Sequence, residues 1–195
     1  MKITPIPHDL DLLKSDLVRS EGLHMSAIYN DYYQDQEPER FVKGTEPSPV
    51  LMGLGLSLEV ALEGALKERM FERPGEFTTP EGIAFSPDLI GFNGSAILGE
   101  MKLTWMSSRE MPREPGYRSF PPKFDKWMTQ MKCYGHHLEM PNQRLYALFV
   151  NGAYPGRDYS KYRPELLAWD IEFSLREMKE EWQRMLAHAK FKRMI

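Results

Sequence analysis

The sequence predicts a mixed α/β domain, a central sheet flanked by helices, and three patterns predict it. Apolar residues recur at helical spacing over 50–70, short strand-like runs separated by turn signals follow, and helix, strand, strand, helix complete the chain. With 195 residues, 42% of them hydrophobic, the chain is long enough to bury a core as one domain, 1–195. Within it, residues 1–48 read as a helical and loop extension and 50–195 as the core.

The elements follow in order. Leu10 to Val18 and Met25 to Tyr33 read as amphipathic pieces, and the polar, proline-bearing stretch from Asp35 to Pro49 as a connector. Leu51, Leu54, Leu58, Ala61, Leu62, Ala65 and Leu66 mark a helix with no interior proline. Strands are expected near 82–85, 88–92 and 96–105, the last two joined at the turn signal Asn93-Gly94. Residues 106–122 hold four prolines and read as a long loop, which in a compact domain is usually functional or disordered. A helix over 123–139, stopped by Pro141, precedes a buried strand over 144–150. A strand over 168–173 then leads to a last helix lined by Leu175, Met178, Trp182, Leu186 and Ala189.

Composition narrows the function classes. No apolar run approaches the roughly 20 residues of a spanning helix, and the start MKITPIPHDLDLLK lacks a signal-peptide core, so a cytoplasmic protein with no membrane partner is expected. The lone Cys133 excludes an internal disulfide, a CxxC zinc site and an iron–sulfur cluster. Net charge is −3, so a polyanion site must come from local placement. One stretch qualifies: from Lys102 to Lys132 seven basic residues face three acids, interleaved with Trp105, Tyr117, Phe120, Phe124 and Trp127.

The chemistry-bearing residues are Asp88, at the head of one strand, and Glu100-Met101-Lys102 on the next. A strand period of two puts Glu100, Lys102 and Thr104 on one face. Whether Asp88 joins them depends on the turn. A strict two-residue loop pairs Phe92 with Ser95 and sends Asp88 and Glu100 to opposite faces; a bulged three-residue loop pairs Gly91 with Ser95 and puts Asp88 diagonally beside Glu100. Two carboxylates and a carbonyl suit magnesium or manganese, and a lysine beside them can serve a water that attacks a phosphodiester. On the following helix Lys126, Gln130, Tyr134 and His137 fall on one side at steps of four, four and three.

Pro87-Asp88, then Glu100-Met101-Lys102 after a hairpin, resembles the PD-(D/E)XK nuclease signature in its RecB-like and lambda-exonuclease-like (YqaJ) branches. Gly55-Leu56-Ser57-Leu58-Glu59 is similar to the Gly-x-x-x-Glu element of a preceding helix, and Gln130-Met131-Lys132-Cys133-Tyr134 to the Gln-x-x-x-Tyr of a following one. The segment Glu21 to Ser26 resembles the entry segment of phage members. The resemblance covers residues 20–190 and implies a restriction-endonuclease-like core. Glu59, Asp88, Glu100 and the Met101 carbonyl would hold one or two Mg2+ or Mn2+ ions, Lys102 would serve the water, and Gln130 and Tyr134 would brace the site or touch DNA. Glu63, one turn beyond Glu59, competes for its place. The implied activity is an exonuclease on DNA ends in phage recombination or DNA repair. Implied partners are linear ends or single-stranded tails, further copies of the chain as in the ring-forming lambda-type relatives, and a recombination or repair protein. An endonuclease, or a DNA-binding module with a vestigial metal site, are the alternatives.

Overall fold

The structure, a computed structural model, describes residues 20–39, 49–66, 71–92, 95–114, 119–155 and 163–195. The amphipathic piece from Leu10 to Val18, the residues Asn93 and Gly94, the loop residues Tyr117 and Arg118, and the side chain of Glu63 lie outside the described residues.

Helix α1 (Met25–Gln36) follows an extended His24 and buries Met25, Ile28, Tyr29 and Tyr33, the one-sided stripe of an amphipathic helix. Although it lies within the expected extension, α1 is part of the main core. Its apolar face packs with Ile83, Phe85, Leu98, Cys133, Tyr134, Trp182, Met185 and Ala189. Helix α2 (Pro49–Leu66) opens on a proline, which suits the first turn, where no amide partner is lost.

A five-stranded sheet runs in the order β1 (Phe71–Glu72), β4 (Leu89–Phe92), β5 (Ala96–Thr104), β6 (Asn142–Phe149), β7 (Glu165–Glu172); β2 (Phe77–Thr78) and β3 (Ala84–Phe85) form a separate antiparallel pair. Neighbours are antiparallel except β5 and β6. A parallel pair needs a crossover, and α3 (Asp125–Leu138) supplies it after a single 3₁₀ turn at Pro122–Phe124. Helix α3 ends at Glu139 in the left-handed region (φ 54), before Pro141, where the sequence predicts its stop. Helix α4 (Leu175–Phe191) opens with a capping box between Ser174 and Glu177.

The sheet separates two layers. On one side Leu98, Leu145, Ala147 and Phe149 meet α1, α3 and α4; on the other, Phe71, Leu89, Ile97, Met101 and Tyr146 pack with Leu62 of α2. Strand β7 begins three residues earlier than expected. Its first residue, Glu165, is held by both arms of the Arg113 guanidinium at 2.6 and 2.8 Å and by the Ser108 hydroxyl at 2.6 Å. Strands β1 and β2 were not expected, since two-residue pairings leave no periodicity to read. Among the described residues no helix is long and apolar enough to cross a membrane.

His137, near the end of α3, packs edge-on against Trp182 at 4.3 Å. Burial, then the neighbouring His136, lower its pKa below the ordinary imidazole value, and burial and Lys179 do the same for His136. A depressed imidazole stabilises the fold fully above the unfolded value near 6.5, and that contribution is lost as pH falls through the folded value. The melting temperature should therefore drop on acidification below about pH 6.5, and His137→Phe should flatten that drop in thermal melts run across the range.

Candidate active site

The register between β4 and β5 brings the two principal carboxylates together. Leu89 pairs with Gly99 and Phe92 with Ala96, so three residues, 93–95, join the strands. The strict two-residue pairing is not found; in place of the bulged turn stands an equivalent distortion, one step beyond the strict pairing in the opposite direction. Both three-residue solutions share the same parity. Continuing the observed register by one step sets Asp88 across from Glu100 directly rather than diagonally.

Asp88 stands just outside the ladder, and its Oδ2 accepts the Met101 amide at 2.7 Å. A strand residue directs its N–H and C=O to the same edge, so the Met101 carbonyl also points to the β4 side. Two steps on in the register, Pro87 stands across from Met101 and has no N–H to offer it. The Pro-Asp pair therefore ends the ladder, and the Asp88 carboxylate takes the Met101 amide in place of a backbone partner.

Glu100 is 2% exposed, an unusual position for a carboxylate unless it is paired. Lys102 Nζ donates to its Oε1, and Gln130 Nε2 donates to the same oxygen at 2.5 Å. Gln130 Oε1 in turn accepts from Lys102 Nζ at 3.0 Å and from the Tyr29 hydroxyl at 3.1 Å. Burial, and then the charge of Asp88, push Glu100 up to about 8 despite Lys102. Burial works to lower Lys102, but the carboxylates of Glu100 and Asp88 outweigh it and raise its pKa. Both responses follow from an excess of negative charge in a dry site.

Glu59 comes from α2, one helical turn before Leu62, which packs on the opposite face of the sheet. It reaches the site where β4 ends. Its carboxyl is raised by burial and then by Asp88, against the pull of Arg73, whose guanidinium bonds it at 3.0 Å. Three like charges repel, and each of these carboxylates has a partner within the chain. Accordingly, the trio of potential ligand atoms lying within 4.8 Å of one another among the described residues is a different one, Asp31, Asp35 and His188. There the Lys192 ammonium already sits 2.5 Å from Asp35 and 3.6 Å from Asp31, so the negative charge is met by the chain itself.

The seven residues expected at the site line one pocket of about 190 Å³: Glu59, Asp88, Glu100, Met101, Lys102, Gln130 and Tyr134. Tyr134 is buried, with its ring 5.1 Å from Phe85, so it serves the core and the pocket wall at once. The side of α3 that carries Gln130 and Tyr134 faces inward, and both residues are buried. His24, Ser26, Tyr29 and the run Ala84, Phe85 and Ser86 complete the wall. His24 and Ser26 fall in the segment singled out for its resemblance. Tyr29 was missed, because at helical spacing beside Met25, Ile28 and Tyr33 it reads as a core residue.

The basic stretch is not a free arm. Arg113 is committed to Glu165 and Lys123 to Glu110 at 2.9 Å, Lys132 lies 5.4 Å over the Phe173 ring, and Trp169 Nε1 ties the loop down through the Pro112 carbonyl at 2.8 Å. Besides Lys102 in the pocket itself, the stretch sets Lys126 against the pocket wall, 5.7 Å over the Tyr29 ring.

No family model matches the chain, and no curated protein does. Among solved structures, one described as the crystal structure of SSO0001 aligns with a TM-score of 0.52 over 91% of this chain and 83% of that one, at 16% identity. At that identity the likeness is one of fold.

Proposed function

We propose that this chain is a metal-dependent deoxyribonuclease, an exonuclease acting on DNA ends. The observation that carries the reading is the meeting of Asp88, Glu100 and Lys102 with Glu59, Gln130 and Tyr134 in one small polar pocket at the broken end of a β-ladder. The resemblance to PD-(D/E)XK nucleases of the RecB and lambda-exonuclease branches supports it, since all the motif elements meet there.

The donor set fits a hard divalent cation. It offers only oxygens, from Glu59, Asp88, Glu100 and the Met101 carbonyl, and both Glu59 and Glu100 are raised by burial first and then by the charge of Asp88, so a bound cation would relieve both. Bound there, Mg2+ or Mn2+ would supply charge neutralisation at the phosphate and a more acidic water. Lys102 directs two of its three ammonium protons at Glu100 and Gln130, and the third can orient a water or meet a phosphate oxygen. Gln130 bridges Glu100 and Lys102 and keeps them at a fixed separation. The proposed partners are linear DNA ends or single-stranded tails, with further copies of the chain or a recombination or repair protein beside them.

Purified protein incubated with linear, nicked and closed circular DNA in Mg2+ or Mn2+ tests this. Degradation of linear DNA alone, abolished in Glu100→Ala and Lys102→Ala, is the expected result. Cutting of closed circles would point to an endonuclease instead. DNA binding with no metal-dependent cleavage in any form would overturn the reading.

A further inference from the structure

We infer that Tyr29 of α1 is a positioning residue for this site: its hydroxyl fixes the Gln130 side-chain amide, and through that amide the separation of Lys102 and Glu100. The inference rests on the nuclease reading above and extends it to an element the motif residues do not include.

Gln130 is 7% exposed and touches both charged groups with opposite ends of one amide. With Nε2 toward Glu100 and Oε1 toward Lys102 each end meets its complement; the flipped amide would set its NH2 against an ammonium and its carbonyl against a carboxylate. The amide works only in one orientation, and only while its plane is held. Tyr29 donates to the same Oε1 at 3.1 Å from a third direction, from a helix that neither Lys102 nor Glu100 belongs to. An amide oxygen has two lone pairs, and Lys102 and Tyr29 fill both. The ring that carries this hydroxyl is buried among Ile83, Phe85 and Trp182, and Lys126 caps it at 5.7 Å, so a rigid body stands behind the bond. Without the hydroxyl, Oε1 keeps only the bond from Lys102, and the amide loses the one contact that holds it from outside the charged pair.

The neighbouring Tyr33 provides the control. One turn along the same helix, its hydroxyl lies 2.8 Å from Thr129 Oγ1, which donates to Glu181 of α4, so it ties α1 to the same helix α3 without reaching the pocket. If α1 matters only as packing, removing either hydroxyl should act alike.

Steady-state cleavage of linear DNA at saturating Mg2+ distinguishes the two. In Tyr29→Phe, kcat should fall about tenfold with KM unchanged to within about twofold, whereas Tyr33→Phe should leave both within about twofold. A spectroscopic arm needs no turnover. The Gln130 side-chain NH2 pair in a proton–nitrogen NMR spectrum, located by its loss in Gln130→Ala, should exchange faster with solvent in Tyr29→Phe than in wild type or Tyr33→Phe. Equal losses of kcat in the two variants, an unchanged kcat in Tyr29→Phe, or an unaltered Gln130 pair would overturn the inference. An inactive wild-type protein would end the nuclease reading and the catalytic part of this one with it, while the Gln130 pair would still decide whether Tyr29 holds the amide.

Discussion

Glu100→Gln is expected to reduce cleavage of linear DNA by more than about a hundredfold while leaving the protein at least as stable as before, a combination that separates a functional group from a structural one. Glutamine keeps the shape and can still accept from Lys102 and Gln130, but it cannot supply the charge that a divalent ion needs. The stability expectation follows from burial beside Asp88. The unfolded chain ionises Glu100 in the ordinary carboxylate range, whereas the folded chain resists ionisation to about 8. The unfolded state therefore gains more from deprotonation, and stability falls as pH rises between those two values. The Glu100→Gln substitution would remove that slope. Chemical unfolding of both forms at several pH values without divalent ions, beside a cleavage assay, checks both halves. A variant that unfolds more readily at neutral pH would show that Glu100 serves the fold, with its bonds to Lys102 and Gln130 outweighing the cost of the buried charge.

The largest effect on stability is expected at Gly135. In α3 it lies against β6 and α4 so closely that an added Cβ would stand 2.0 Å from Gln143 Nε2, 2.8 Å from Met178 Sδ and 2.9 Å from the Met140 carbonyl. Gln143 is fully buried, and its amide donates to the carbonyls of Met131 and Met140. Gly135→Ala must displace that amide or push the helix off the sheet. Overpacking costs about 1–3 kcal/mol and each stranded buried donor about 1–3 more, so the variant should lose roughly 3–5 kcal/mol in urea unfolding. Gly64 in α2 is the opposite case. Nothing lies within 4 Å of an added Cβ, and alanine there should stabilise by up to about 1 kcal/mol, because glycine costs a helix backbone entropy. Equal effects at the two positions would mean that helix propensity, not close approach, governs Gly135.

The site's location was readable in the primary structure, because each contributor sits in a local pattern. Glu100 and Lys102 share a strand face by the period of two, Glu59 lies in a helix one turn before an apolar anchor, and Gln130 and Tyr134 are one turn apart. The face on which Asp88 stands was readable only as a condition. Asn93-Gly94 favours a two-residue turn, and register depends on how two strands settle against shared neighbours; here Phe71 over Gly91 and Leu89 over Gly99 leave room for the pairing that is found. The ion pairing of the basic stretch was unreadable for a related reason. Counting cations between Lys102 and Lys132 takes no account of acids brought from afar, and Glu165, 52 residues beyond Arg113, lay outside any window.

By itself, then, the order of residues determined the class of fold, the helices and longer strands, and the set of side chains able to do chemistry, since these depend on periodicities that repeat within a few residues. Tertiary structure alone decided that Asp88 faces Glu100, that the Met101 amide bonds Asp88, that Arg73 pairs with Glu59 and that Tyr29 reaches Gln130. Each of those is a contact between segments distant in the chain, and its free energy exists only once the sheet and its two helical layers have closed on one another.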